Sequence, residues 1–323
     1  MGSTCVKDLQ VGDEVMGFYA LRKIELKAKA DGGKFLRLEM GDKSGRIQAI
    51  QWEEAEVTYD GLQAGDVVKV KGRVDKYQDV LQVRVEKVRK AQDGEFEAEE
   101  FLPVSEKDRG KIFQQLKSVM ETIKNPFLKK LLDAFFSDRM FVQAFLGGVG
   151  GKLWHHAYVG GLLEHTMTVI SLCQRASEVY ELADRDLLLT GAMLHDVGKI
   201  REYQCATFIE FSDEGRLRGH IVIGDEMVQG KIREIPNFPE ELKKKISHLI
   251  LAHQGHLEFG SPVVPMMLES IILFYCDELD SKANAFSRII RQESKPDKKW
   301  SDWVHLMERF IYLGEGKKPE AEG

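Results

Sequence analysis

The segment that most constrains the fold is Leu187–Ile200, an apolar run that ends in charged residues, LLLTGAMLHDVGKI. Asp184 and Asp186 stand before or at its start, and acidic residues are favoured in the first turn of a helix. His195 falls on the apolar face of this predicted helix, with Asp196 roughly 100° around the axis. A buried imidazole beside a buried carboxylate is costly without a partner. A divalent metal would satisfy both groups, whereas the simpler alternative is a core His bonded to the neighbouring Asp.

Other predicted helices also place His or Asp where an apolar stripe ends. WHHAYVGGLLEHTMTVI is predicted to be one helix with His165 on its inner face, and His253 ends the stripe of KKISHLILAH. Asp277 ends the stripe of SIILFYCDELDSK, and Asp280, one turn later, is the alternative. His220 lies near the start of a further helix, GHIVIGDEMVQGKI. An ionisable side chain at the end of an apolar stripe needs a partner, so His253 and Asp277 are candidate ligands, whereas His165 could also be a core His with its hydrogen bonds satisfied.

The segment LHDVGK, following an apolar helix, resembles the signature of the HD phosphohydrolase superfamily: a distant His, a His-Asp pair and a distant Asp, all on helices. HHAYVGGLLEHT, GHI and LAHQGHLEFGSP extend the resemblance over most of the chain to the YhaM family of 3′→5′ exoribonucleases. That family joins an N-terminal OB-fold to an HD domain. The resemblance therefore implies hydrolysis of phosphodiester bonds in single-stranded RNA, with single-stranded DNA as a second substrate class.

The resemblance implies a site for one or two divalent transition-metal ions. Mn is the expected metal, with Fe, Co and Zn as alternatives, because mixed imidazole and carboxylate ligands suit these ions better than Mg or Ca. Two ions would suit phosphodiester hydrolysis, one activating water and one stabilising the leaving oxygen. The expected ligands of the first ion are His165, His195, Asp196 and Asp277, and those of the second are His220 and His253, bridged by Asp196.

One position departs from the family pattern, which has a second His directly after the residue at 253. This chain has Gln254 there. A neutral amide is a weaker donor than imidazole, so the second ion is expected to be held less tightly. His256, two residues on, is a weaker candidate for the missing ligand.

Asp196 and Lys199 are the expected catalytic residues. Lys199 could place a positive charge on a phosphate, or simply act as a favourable cation at a helix C-terminus. His156 and Tyr158, on the predicted His165 helix, are expected to contact substrate.

Residues 1–90 are predicted to form a small closed β-barrel. Short alternating strands such as VKVKGRV and VLQVRVEKV are separated by glycine-containing turns, an arrangement that resembles an OB-fold. In KFLRLEM the alternate residues Leu36, Leu38 and Met40 would point inward. Phe35 and Arg37 would then face outward, where a ring and a guanidinium can stack on bases and meet phosphates. Trp52 is either a further stacking residue or part of the core.

The chain is therefore predicted to be a multidomain α+β protein. Its predicted parts are the barrel at 1–90, an acidic linker at 91–106, an all-α HD domain at 107–315 and a charged tail at 316–323. Residues 1–90 contain 17 Lys and Arg against 15 Asp and Glu, whereas the remainder contains 29 against 37, so the barrel is the more basic part. Four scattered cysteines and the lack of a long apolar run predict a cytoplasmic protein outside the membrane. Oligomeric state stays open.

Two other functions remain open from the sequence. An HD hydrolase could act on a nucleotide or cyclic dinucleotide with the OB domain regulatory. Alternatively, the protein could bind nucleic acid without catalysis, with a weakened structural metal site. The four ligands of the first ion argue against the second alternative, and Gln254 argues for it.

Overall fold

The fold is described from a computed structural model. It describes residues 5–29, 32–78, 80–92, 94–96, 101–102, 104–105, 107–152, 156–205, 208–295, 298–305 and 307–314. The predicted tail at 316–323 lies outside these residues. The chain divides into two compact units, Met1–Glu106 with Tyr203–Phe211, and Lys107–Glu202 with Ser212–Gly323. Within the part of the chain that is described, no helix has the length and hydropathy needed to span a bilayer.

The first unit contains the predicted barrel. Five strands close in the order β1-β2-β3-β5-β4, and the β3–β5 pair alone among them is parallel. The strands are β1 Glu14–Ala28, β2 Lys34–Asp42, β3 Gly45–Gln51, β4 Val67–Tyr77 and β5 Val80–Lys90. A 3-10 turn, Val6–Asp8, precedes β1, and helix α1, Ala55–Gly61, joins β3 to β4.

The barrel core confirms the predicted alternation of β2. Leu36, Leu38 and Met40 are fully buried, while Arg37 is exposed and Phe35 is half-buried. Apolar side chains of the other strands fill the same interior, which fixes the register of the sheet because a one-residue slip would turn every buried side chain outward. Part of the predicted linker packs on this unit, since Phe101 is buried in a cluster with apolar barrel residues.

The second unit is helical, as predicted. Its helices are α2 Arg109–Met120, α3 Pro126–Phe136, α4 Arg139–Gly147, α5 Gly161–Val179, α6 Arg185–Leu194, α7 Lys199–Glu202, α8 Asp213–Arg233, α9 Glu240–Ala252 and α10 Leu268–Glu293. A 3-10 turn, Leu257–Phe259, follows α9. Several helices begin at a capping side chain: Asp184 accepts a hydrogen bond from the amide of Leu187, and Asp108, Asn125, Asp138 and Ser212 cap others in the same way.

One element differs from the expectation that everything after the linker is helical. Two short strands, β6 Tyr203–Cys205 and β7 Ile209–Phe211, pair antiparallel between α7 and α8. They belong to the first unit, where the guanidinium of Arg22 lies over the ring of Phe208. Strands of three residues carry too short an alternating pattern to be separated from a helix by sequence alone.

Candidate functional site

The carboxylate of Asp196 lies between two groups of potential metal ligands. Its Oδ2 faces the first group, at 3.3 Å from His165 Nε2 and 3.4 Å from His195 Nε2. Its Oδ1 faces the second group, at 3.6 Å from His220 Nε2 and 3.7 Å from His253 Nε2. The structure thus brings together all six residues that the sequence offered as principal ligands: His165, His195, Asp196, His220, His253 and Asp277.

Helix ends position these side chains. Helix α6 stops at Leu194, so His195 and Asp196 lie at its C-terminus instead of inside a helix that continues to residue 200. His253 ends α9, and Gly219, with φ +68°, breaks α8 so that His220 starts its second part. That φ is one that glycine adopts without the steric cost other residues pay.

Nδ1 of each of the four imidazoles contacts an oxygen, so the neutral form of the ring carries its proton on Nδ1 and presents Nε2 to Asp196. His195 donates to the carbonyl of Ala192 at 2.9 Å, and His253 to the carbonyl of Ile250 at 2.7 Å. His165 and His220 donate to carboxylates, those of Asp280 at 2.7 Å and Glu202 at 3.0 Å respectively. The oxygen acceptors select this tautomer, and the resulting arrangement of Nε2 lone pairs is that of metal-binding histidines.

The ligand atoms fit a divalent metal. Around one ion with bonds of about 2.1 Å, neighbouring ligand atoms lie roughly 3.0–3.4 Å apart. In the first group, His165 Nε2 lies 3.2 Å from His195 Nε2 and 3.1 Å from Asp277 Oδ1, within that range. Neither oxygen of Asp196 accepts a hydrogen bond of acceptable geometry from any described residue, although both are buried. Imidazole nitrogens that face buried carboxylates in this way favour a positive charge between them.

Lys199 supplies part of that positive charge. Its Nζ lies 2.6 Å from Asp196 Oδ2 and donates to the carbonyl oxygen of Gly150 at 2.8 Å. Lys199 is the first residue of α7 and is buried, so it is not the exposed cation at a helix C-terminus that the sequence also allowed. Its ammonium instead balances the charge of Asp196.

Opposing effects set the ionisation of the first group. Burial alone would raise the pKa of Asp196, but the charge of Lys199 and the neighbouring imidazoles hold it well below its usual range. Burial alone would lower the pKa of His165, but Asp196, Asp277 and Asp280 together raise it well above its usual value. The surrounding carboxylates therefore favour a positive charge at His165, which either a proton or a metal ion can supply.

In the second group the pKa of a ligand imidazole is lowered instead of raised. Burial, with the charge of His195, lowers the pKa of His253 to about 4. His253 is therefore neutral at neutral pH and needs no deprotonation before it can bind a metal.

Asp280, the alternative ligand from the sequence, lies behind His165 and not beside the other ligands. One of its oxygens, Oδ2, accepts from Nδ1 of His165 at 2.7 Å and from Nε2 of His156 at 2.9 Å. The ring of His156 is in turn hydrogen-bonded to the hydroxyl of Tyr158 at 2.9 Å. Asp277, three residues before Asp280 on α10, faces the other nitrogen of His165. Helix α10 thus contacts both edges of one imidazole.

The placement of His156 and Tyr158 corrects the prediction of one helix through WHHAYVGGLLEHTMTVI. Helix α5 begins only at Gly161, and His156 lies in a preceding turn with φ +48°. Trp154 and His155 lie outside the described residues. The carbonyl oxygen of His156 would lie 2.0 Å from a Cβ at position 161, so glycine is required for this close approach. His156 is buried, and both of its ring nitrogens contact side chains of the chain itself.

Gln254 lies at the second group. Its side-chain Nε2 is 3.4 Å from His220 Nε2, and the residue lines a cavity of about 210 Å³. The cavity is also lined by Asp196, Lys199, His253, Phe259, Asp277, Glu278, Ser281 and Lys282.

His256 is exposed, and its ring packs edge-on against Phe259 and Phe274. The structure therefore does not bring His256 to the ligands.

Sequence reasoning missed two supporting residues. Glu202 accepts hydrogen bonds from both the backbone amide and Nδ1 of His220, and Gly150 accepts from Lys199. Both contacts join residues far apart in sequence, and a single sequence carries no signal for such pairs. Glu202 stands between Arg201 and Tyr203, in a segment that gives no sequence signal of its burial.

The outer face of the barrel carries the predicted nucleic-acid residues. The rings of Phe35 and Trp52 stack at 4.9 Å between centroids, and Lys29 Nζ lies 5.4 Å from the Trp52 ring. Trp52 is 43% exposed and is therefore not part of the barrel core, while its role in stacking on bases stays a prediction. Arg37 is exposed beside them and donates to Gln48 Oε1 at 3.2 Å.

Comparisons with known proteins agree with both units. The family described as HD domain matches residues 162–282, and the family described as OB-fold nucleic acid binding domain matches residues 21–91. The second OB-fold domain of replication protein A from Methanococcus maripaludis aligns with 30% of this chain and 100% of that chain at 19% identity, with a TM-score of 0.25.

Two curated relatives match over nearly the whole length. The 3'-5' exoribonuclease YhaM of Bacillus licheniformis is 32% identical over 288 residues, which cover 88% of this chain and 90% of the relative. The same protein of Bacillus subtilis gives the same identity and coverage. With an OB-type barrel, an HD domain and such a match over both, the chain belongs to the YhaM family of 3'-5' exoribonucleases.

Proposed function

We propose that this protein is a metal-dependent exonuclease that removes nucleotides from the 3′ end of single-stranded RNA. The observation that carries the proposal is the position of Asp196, whose two buried oxygens face two separate groups of ligands. Family membership supports the RNA substrate and the polarity. A cavity of about 210 Å³ at the ligands suits the end of one strand better than a folded duplex.

The chain's own residues would bind and orient the metal. His165, His195, Asp196 and Asp277 would hold one ion, and His220 and His253, with Asp196 as the bridge, a second. When bound, such ions stabilise charge on phosphoryl oxygens and lower the pKa of the attacking water. Asp280 and Glu202 fix the rings of His165 and His220, and Lys199 keeps Asp196 ionised. The proposed catalytic contribution of Lys199 is thus electrostatic and acts through Asp196.

The two ions are proposed to differ in affinity. Ligand atoms of the first group lie 3.1–3.4 Å apart, whereas the second group places its nitrogens 3.6 and 3.7 Å from Asp196 Oδ1. Gln254 contributes an amide where an imidazole would bind more strongly. We infer Mn as the working metal, with Fe, Co and Zn as the alternatives for the same ligands.

The barrel is proposed to hold the strand while the HD domain cuts it. Stacked aromatic rings with a nearby Lys and Arg form the kind of surface that binds unpaired bases without regard to sequence. His156 and Tyr158, which the sequence suggested as substrate contacts, are better explained as supports for Asp280, since both contact its hydrogen-bond network.

A digestion experiment tests this function against its rivals. A 5′-labelled single-stranded RNA, incubated with the metal-loaded protein, should shorten progressively to a ladder that ends near the label. Nucleoside phosphates and cyclic dinucleotides serve as parallel substrates. Turnover of those alone would establish a nucleotide hydrolase, and tight RNA binding with no turnover in any of four metals would establish a non-catalytic binding protein.

A further inference from the structure

The strand register places three arginines in one outward row across the barrel. Arg37 on β2 pairs with Ile50 on β3, Ile50 pairs with Arg84 on β5, and Arg84 pairs with Arg73 on β4. Directly paired residues point to the same side of a sheet. Ile50 is half-buried and the three arginines are exposed, so the row lies on the outer surface. With strands about 4.8 Å apart, the row spans roughly 15 Å.

Arg73 and Arg84 face each other as like charges. Such cross-strand pairs destabilise a sheet unless something neutralises them. Across the described ranges, neither guanidinium lies within ion-pair distance of a carboxylate. Glu14 pairs in register with Arg73 at the far end of the row, and Glu86 contacts Lys71 at 3.4 Å.

A surface depression of about 500 Å³ lies at this pair. It is lined by Glu14, Val15, Met16, Lys71, Gly72, Arg73, Arg84 and Glu86. A β-bulge opposite Gly72 shapes it, with Glu86 of β5 as the unpaired residue, and a Cβ at position 72 would lie only 2.4 Å from the carbonyl oxygen of Arg84. Bulges re-aim neighbouring side chains and recur at binding sites. The depression therefore has a defined shape, and its lining carries three cationic side chains against two carboxylates.

The neighbouring row differs in charge. It joins Glu39, Gln48, Gln82 and Asp75 by the same pairings. The arginine row is thus basic and this neighbouring row is neutral to acidic, whereas on the other side Lys71 pairs with Lys87 and Lys69 with Arg89. The neutral to acidic row therefore borders a path for a polyanion on one side only. That path begins beside the Phe35 and Trp52 stack, since Arg37 lies two residues from Phe35 on the same face of β2.

We propose that the path of the single-stranded nucleic acid continues from the β2–β3 face over β5 and β4, where Arg84 and Arg73 bind two further phosphates. Guanidinium groups bind phosphate oxygens in pairs of hydrogen bonds, and a phosphate on each arginine offsets the repulsion between the two like charges. The inference rests on the proposed function, because it extends the substrate path that the function requires. The proposed path places additional nucleotides over β5 and β4, beyond those that stack on Phe35 and Trp52.

Binding measurements on the full-length protein test the proposal. The probe is a fluorescent single-stranded RNA of twelve nucleotides, titrated in chelator so that no cleavage occurs. The double variant Arg73→Gln/Arg84→Gln should weaken binding about tenfold or more at low salt. It should also reduce the slope of log K against log salt by about 1.4, since each phosphate contact on a single strand contributes roughly 0.7.

Two controls separate this effect from a general loss of charge. Lys7→Gln/Lys43→Gln removes two exposed cations near the β2–β3 turn and should leave the slope unchanged. Arg73→Lys/Arg84→Lys keeps both charges and should keep most of the slope. The thermal midpoint of Arg73→Gln at low salt should equal or exceed that of the parent protein, since repulsion is relieved.

The proposal is overturned if the double Gln variant has the parent's slope, or if both Gln pairs lower it equally. Failure of the proposed function is a separate result. If the parent protein digests RNA but the double variant loses no affinity, the proposed function stands and the proposed path over β5 and β4 is wrong. If the protein binds RNA through the arginine row but hydrolyses none of it, the proposed path stands and the proposed function is wrong.

Discussion

The carboxylate of Asp280 accepts a hydrogen bond from Nδ1 of His165 at 2.7 Å, on the ring edge opposite the candidate metal. Asp277 faces the other edge at 3.1 Å. Two acids one helical turn apart thus have different roles around one imidazole. Asp280 fixes the tautomer and raises the basicity of the ring, and Asp277 is a candidate ligand.

This division predicts different effects of two matched variants. Asp280→Asn should lower metal affinity by about 10- to 100-fold, the usual range for a lost carboxylate behind a metal-bound His, and higher metal concentration should restore hydrolysis. Asp277→Asn removes a charged ligand and should lose more affinity. Competition with a chromophoric chelator measures both. Unchanged affinity in Asp280→Asn, or a larger loss there than in Asp277→Asn, would contradict the assignment.

The sequence could point to three of the candidate ligands because each one ends an apolar stripe, whereas His165 and His220 were implied by the family resemblance. His195, His253 and Asp277 follow buried residues at helical spacing, and that periodicity is local information. It could not separate Asp277 from Asp280, because both lie on nearly the same side of α10. Only the position of His165, more than 100 residues earlier, distinguishes them.

Elements that depend on distant contacts were not predictable. The turn at His156 requires a left-handed backbone held by Asp280 and by close packing on Gly161, neither of which a helical pattern reveals. The barrel strands were predictable because their alternation runs over seven residues or more. The three-residue strands β6 and β7 were not.

Metal affinity should depend on pH at the first site. The pKa of His165 is raised by its three acidic neighbours, so a proton must leave before an ion binds. Apparent affinity should therefore fall as pH falls, by up to about tenfold per unit while His165 is protonated in the metal-free protein. Titration calorimetry at several pH values, in buffers of different ionisation enthalpy, measures the released proton.

Metal affinity at the second site should depend less on pH, because the pKa of His253 is lowered to about 4 and its ring is already neutral. Binding of both ions with the same steep pH dependence would contradict this difference. So would binding of the first ion with no proton release at neutral pH.

Gln254→His should tighten the weaker ion. The side chain already lies at His220, and an imidazole there is a stronger donor than an amide. After chelation and graded return of Mn, activity of the parent protein should follow a weak binding phase. The variant should shift that phase to lower Mn concentration.

His256→Ala is the matched control for this shift. His256 is exposed and packs on Phe259 and Phe274, so its removal should leave the metal dependence unchanged. If Gln254→His changes nothing and activity follows the first ion alone, a one-metal site is the better description.

Phe35→Ala and Trp52→Ala should weaken oligonucleotide binding. Each variant disrupts the stack at 4.9 Å, and a base stacked on an aromatic ring contributes about 1–3 kcal/mol. Affinity for single-stranded RNA should therefore fall by roughly 5- to 150-fold, while hydrolysis of a small phosphodiester that reaches only the metals stays near the parent rate. Tyr77→Ala, an exposed aromatic on β4, provides a comparison. Equal losses on both substrates would mean that the stack supports the fold.

Metal content and RNA hydrolysis of Asp196→Asn test whether the Asp196 carboxylate holds the metal on which hydrolysis depends. The amide keeps the shape of the side chain but removes the charge that both ligand groups share with Lys199. Because the variant leaves the buried ammonium of Lys199 without its carboxylate, Asp196→Asn/Lys199→Met, which removes both charges, is measured beside it with circular dichroism. We expect a folded protein that retains less bound metal than the parent and releases no nucleotides from a labelled single-stranded RNA. Full metal occupancy with unchanged turnover in either variant would contradict it.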